Sequence, residues 1–168
     1  MALTMYDASV TVFMHNLKQL SHLLDKGAAH AEAAGIDPAT LVQAKLADDM
    51  RPLSFQIQSA SDASKLAVVR LSGVAAPSFA DTESTFDELR ARVVKTRDYL
   101  QTVPREAFEG SEERTVTMKT SAGEVEFTGQ SYLLHFALPN FFFHVTTAYD
   151  ILRHNGVPIG KRDYLGRV

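Results

Sequence analysis

Leu138-Pro139-Asn140-Phe141-Phe142-Phe143-His144 lies in the middle of a run, residues 127–149, that contains no Asp, Glu, Lys or Arg. A stretch so long and so apolar is either a membrane span or a helix buried in a protein core. Gln130, His135, Pro139, Asn140, His144, Thr146 and Thr147 interrupt it and decide for the core. Thr128 supplies an N-cap and Gly156-Val157-Pro158 a stop, so the spacing predicts one helix over about 129–155. On it Leu133, Ala137, Asn140, His144, Ala148 and Ile151 recur at intervals of four and three and share a face. Leu138, Phe142, Val145, Tyr149 and Leu152 cover an adjacent side. A helix apolar over more than half its circumference lies at the centre of a bundle or also makes a dimer interface.

Pro139 falls inside this helix, where it costs about 3 kcal/mol relative to Ala and leaves the carbonyl of residue 135 without its usual donor. A kink just before Asn140 is expected. Asn140 and His144 then interrupt the apolar face at its midpoint, as the helix leaves the kink.

The rest of the chain reads as helices around this one. Val10, Phe13, Met14, Leu17, Leu20 and Leu24 form a stripe that faces a core, and the helix carrying them should end between Lys26 and Asp37, where Gly27 and Gly35 break it. His15 and His22 project from the opposite side, among lysines, and read as surface residues. Asp37-Pro38 starts a short connector helix to about Leu46. A second long helix is predicted over 53–71, stopped by Ser72-Gly73, with Leu53, Ile57, Ala60, Ala67 and Leu71 on one seam and Phe55, Leu66 and Val69 on another. Gln58 and Asp62, one turn apart, share the second seam. A carboxylate in that setting needs a cationic partner or a place at the rim. Asp81 or Thr82 caps a third helix over about 83–102, whose arginines and lysine at 90, 92, 95 and 97 include solvent-facing positions. The alternation in 115–119 and 124–127, around Thr120-Ser121-Ala122-Gly123, predicts a β-hairpin before the last helix. The chain is therefore read as a single all-α domain, 1–168, a four-helix bundle with one small hairpin.

Composition narrows the functions open to it. There is no cysteine, which excludes thiolate ligands, a cysteine nucleophile and a redox dithiol, and nothing demands an oxidising compartment. A net charge of −3 with scattered basic residues gives no field for phosphate backbones, so no nucleic-acid partner is expected. Residues 1–7 lack the features of a secretory signal, and a cytoplasmic protein is expected. At i and i+4, Asn140 and His144 can form a buried polar network with Gln58 and Asp62, hold a metal ion, or line a metal-free ligand pocket.

The order of the helices, the hairpin before the last of them and the motifs Leu138-Pro139-Asn140-Phe141-Phe142-Phe143-His144, Ile151-Leu152-Arg153-His154-Asn155-Gly156-Val157 and Lys161-Arg162-Asp163-Tyr164-Leu165-Gly166 resemble the bacterial domain-of-unknown-function family 1993. That family is a branch of the DinB-like (YfiT-like) bundle superfamily. The resemblance implies a four-helix bundle with a long crossover, often a homodimer. It also implies a zinc or nickel ion held by one His on the second helix and a His-x-x-x-His pair on the last, with thiol transfer or isomerisation in some members. In this chain the pair reads Asn140-x-x-x-His144, and the second-helix position falls near Gln58, with Asp62 one turn on. The expectation is a degenerate metal site in a non-catalytic module for a small ligand or for dimerisation. The alternative is a divalent-metal-dependent thiol transferase or hydrolase in which His144 and Asp62, with Asn140 or Gln58, hold the ion.

Overall fold

The computed structural model describes residues 3–120 and 123–166. After a π-helical turn, Asp7–Thr11, helix α1 runs over Val12–Ala34. It passes through Gly27 without a break. A Cβ there would lie 2.9 Å from Leu152 and 3.0 Å from Phe86, so this glycine is a notch for close helix packing, which propensity alone misreads as a stop. The helix ends at Gly35, φ 64°, where the amides of Gly35 and Ile36 close on the carbonyls of Glu32 and Ala31.

Asp37 caps α2 (Pro38–Val42) by accepting from the Ala39 amide at 3.0 Å; the helix ends four residues earlier than its sequence suggests. Helix α3 spans Leu53–Ser72 and its first seam is entirely buried. Helix α4 spans Phe86–Thr102 and starts later than expected. Its cap is Thr85, not Asp81 or Thr82, because Thr85 and Glu88 form a reciprocal capping box with bonds of 3.2 and 3.0 Å. Asp81 and Glu83 are thereby left outside the helix, free to turn inward.

Strands β1 (Thr115–Thr120) and β2 (Gly123–Thr128) pair antiparallel, Val116 opposite Phe127 and Met118 opposite Val125. The connecting Ser121 and Ala122 lie outside the described residues. Val116 is buried whereas Val125, on the same face but nearer the turn, is exposed, so the base of that face covers the bundle and its tip does not. Thr128 caps the final helical run by accepting from Ser131 N. That run has three parts: α5 (Gly129–Tyr132), a π turn (Leu133–Ala137) and α6 (Leu138–His154). The π turn, with Leu138 N–H bonded to Leu133 O, stands where a kink is expected. It widens the backbone immediately ahead of Pro139, the residue that has no N–H to give.

Helix α1 packs against α4 and α6, and α3 packs against the same two. Both diagonal steps, α1 to α3 and α4 to α6, are made by long connections, residues 35–52 and 103–128, which gives the bundle its crossovers. The core is filled by Phe13, Leu17 and Leu24 of α1, Ile57 and Val68 of α3, Leu89 and Val93 of α4, and Phe141 and Val145 of α6. Phe13 and Phe141 meet edge to face at 4.9 Å, each contributing about 2–3 kcal/mol through burial. Phe141 thus takes the central position that the sequence pattern gives to Asn140 and His144. Those two are half-buried at the edge of the stripe, because the larger apolar side chain wins the interior.

A last short helix, α7 (Lys161–Leu165), lies on α1. His22 Nε2 is 2.9 Å from Asp163 Oδ1, and His15 Nε2 is 2.8 Å from the Leu165 carbonyl. The two histidines read as surface residues are thus the docking points of the tail, which Tyr164 completes against Tyr149 at 5.8 Å. Residues 1–2 and 167–168 lie outside the described residues. No helix among the described residues is long and apolar enough to cross a membrane.

Candidate functional site

A cleft of about 350 Å³ opens between α3 and the α5–α6 run, closed at one edge by Met118 of β1 and Asp81 of the loop before α4. Asp62, Asn140 and His144 all line it. Gln58 does not; its amide nitrogen donates at 3.0 Å to Oε2 of Glu83, an acid that shares Arg92 with Asp62.

His144 is held by a residue the sequence pattern does not single out. Its Nδ1 lies 2.8 Å from Oε1 of Gln56, a side chain 2% exposed. The Gln56 amide nitrogen donates to the Arg51 carbonyl at 3.0 Å, so its oxygen must face His144. Nδ1 therefore carries the imidazole proton and Nε2 keeps a bare lone pair. Burial pushes the His144 pKa below its ordinary value and keeps the ring neutral. Phe55 and Phe143 pack edge-on to the ring at 6.2 and 5.3 Å, fixing its plane. The Asn140 side chain makes no hydrogen bond among the described residues.

Asp62 is held just as firmly. Its Oδ1 accepts from Lys65 Nζ at 2.9 Å and from Arg92 Nη2 at 3.0 Å. Arg92 is 1% exposed and also donates to Asp81, Glu83, the Ala80 carbonyl and Ser61. Its guanidinium lies 5.1 Å from the Phe79 ring. Burial works against the Arg92 charge, but hydrogen bonding to Glu83 and the Asp62 carboxylate outweigh it, and its pKa is raised. This arginine ties the α3–α4 loop to the bundle wall. Its position was signalled by the spacing of Leu89, Arg92, Thr96 and Tyr99, all buried at intervals of three and four.

The donor set does not suit a divalent cation. Two cationic side chains already share the Asp62 oxygen, a neutral amide replaces the second imidazole at position 140, and Gln58 points elsewhere. Among the described residues no three His, Cys, Asp or Glu side chains gather where they could hold a metal ion.

The model of a family described as a domain of unknown function, DUF1993, matches residues 5–165. The chain belongs to the DUF1993 family. This DUF1993 protein is also similar to a DinB family member protein from Shewanella denitrificans, known from its crystal structure, with a TM-score of 0.90 and 38% identity over 97% of this chain and 92% of that one. The DinB-like bundle expected from the Leu138–Gly166 motifs is thereby borne out. No curated protein matches the chain.

Proposed function

We propose that this DUF1993 protein binds a small amphipathic molecule in the cleft between α3 and α6 without a metal ion and without catalysing a reaction on it. The observation that carries this reading is the Gln56–His144 hydrogen bond, which commits Nδ1 as a donor and leaves Nε2 of a neutral ring as an acceptor at the cleft wall. Asn140 adds an amide with unspent donors and acceptor, and Phe55, Leu66 and Phe136 supply apolar surface. A ligand with an apolar body and one O–H or N–H matches these walls. We read the protein as cytoplasmic, in keeping with its lack of cysteine, and as a homodimer through the apolar flank of α6, where Phe143 is 56% exposed.

The test is a titration of small alcohols and acids followed by the ¹⁵N signals of the His144 ring. The Nε2 signal is expected to move on binding while Nδ1 stays protonated. A ligand that binds and leaves both signals unmoved would sink the reading. Stoichiometric uptake of zinc or nickel by untagged protein, abolished in His144→Ala, would replace it with the metal-dependent alternative. A monomeric mass by light scattering at micromolar concentration would remove the dimer.

A further inference from the structure

The cleft is long. Helix α3 rises about 1.5 Å per residue, so Phe55, beside His144 at one end, and Arg70, at the other, stand about 22 Å apart along the axis. The two ends differ in charge. Asp62 and Asp81, which line the middle and rim, are paired with Lys65 and Arg92, and with Glu83, which shares Arg92, that cluster keeps one net negative charge. Arg70 has no carboxylate partner among the described residues. A position in the last turn of α3 accounts for a cation, but not for where this one points. Its Nη1 donates at 2.8 Å to the hydroxyl of Tyr132, a cleft-lining residue only 1% exposed. That phenol accepts from Arg70, so its own proton has no acceptor among the described residues. Burial raises the Tyr132 pKa, so the proton stays on the oxygen. A half-buried guanidinium with unspent N–H groups and a buried O–H in want of an acceptor thus stand side by side at one end of the cleft.

Building on the small-ligand reading, we propose that the cleft takes an elongated carboxylate with its anionic end on Arg70 and Tyr132. Its apolar body lies along Leu66, Met118 and Phe136, and a hydroxyl at its far end donates to His144 Nε2. Arg70 and Tyr132 set the specificity, because an unspent guanidinium and an unspent hydroxyl favour a carboxylate over a neutral group.

The probes are ω-hydroxy fatty acids of graded chain length and the matching α,ω-diols, which share body and hydroxyl and lack the carboxylate. Binding is measured by calorimetry and located by backbone and His144 ring shifts. One acid length is expected to bind at least about tenfold more tightly than its diol. Arg70→Gln should bring the acid down to the level of the diol, and Arg70→Lys and Tyr132→Phe should each remove part of the preference, with thermal melts confirming that the variants fold. Equal binding of acid and diol by the parent, with His144 responding to both, overturns the carboxylate assignment and leaves the small-ligand reading standing. A preference that survives Arg70→Gln overturns it as well. If neither series binds, or shifts fall outside the cleft, both fail.

Discussion

Gln56 Oε1 and His144 Nδ1 stand 2.8 Å apart across the α3–α6 interface, and this one bond decides which imidazole nitrogen keeps its proton and which keeps its lone pair. Replacing the amide with a carboxylate changes that balance. In Gln56→Glu the anion favours the imidazolium, and the His144 pKa is expected to rise relative to the parent in an NMR titration. An unchanged value would show that Gln56 is not the partner in solution.

The depressed pKa of His144 also links stability to pH. As pH falls below about 6.5, the unfolded chain takes up a proton at His144 before the folded chain does, so stability declines with falling pH in that window. At higher pH the ring is neutral in both states and adds no slope. His144→Gln is expected to flatten this part of the profile in urea unfolding between about pH 7.5 and 5.5. Identical slopes in parent and variant would contradict it.

Arg92 holds together acids from two elements. Arg92→Leu leaves Glu83, 13% exposed, and Asp81 without their cation, and is expected to cost about 3–5 kcal/mol. Restoring part of the charge with Arg92→Lys should recover some of that loss. A cost under about 1 kcal/mol in urea unfolding would mean that the network is solvated, not structural.

Gly129 opens the last helical run against the backbone of Ser111. A Cβ at position 129 would overlap the Ser111 carbonyl oxygen, which cannot rotate aside. Gly129→Ala is expected to lower stability by about 2–3 kcal/mol, whereas Gly160→Ala, with nothing within 4 Å of its Cβ, should change it by less than about 0.5 kcal/mol. Equal melting temperatures for the two variants would refute the clash.

Asp163 serves the tail twice, bonding His22 and accepting from the Gly160 amide at 2.8 Å. These contacts, His22 first, hold its pKa below the ordinary 3.8. Their contribution is present above that pH and is lost as pH falls through the folded value. Asp163→Ala is expected to cost about 1 kcal/mol at neutral pH, and its melting curve should converge on that of the parent in strong acid.

Local signals read well from the sequence and non-local ones did not. Gly73 and Gly156 stop their helices, Pro38 opens one, and Leu53, Ile57, Ala60, Ala67 and Leu71 are all buried, since each depends on backbone chemistry or a single period. Asp62, Asn140 and His144 line one cleft, and Asp62 has the cationic partners its setting demands, whereas Gln58 turns to Glu83 instead of His144. Gln56 displaces Gln58 because the contact with His144 depends on how α3 and α6 face each other, which no intrahelical period encodes. Arg92 is not legible as a buried residue because a charged side chain reads as solvent-facing until three acids, Asp62 on α3 and Asp81 and Glu83 on the following loop, are known to reach it. His15 and His22 gain their roles from residues 163 and 165, far along the chain.

The π turn at Leu133–Ala137 sets the angular relation between the two ends of the cleft. Tyr132 precedes it and His144 follows it, so the extra residue it accommodates determines whether both side chains open onto the same slot. Deleting one residue there would restore an ordinary helix and swing everything before it by about 100°, taking Tyr132 away from Arg70 while His144 kept its place. A chain one residue shorter at this point could therefore share the bundle, the histidine and the overall shape of this protein and still present a differently lined cleft.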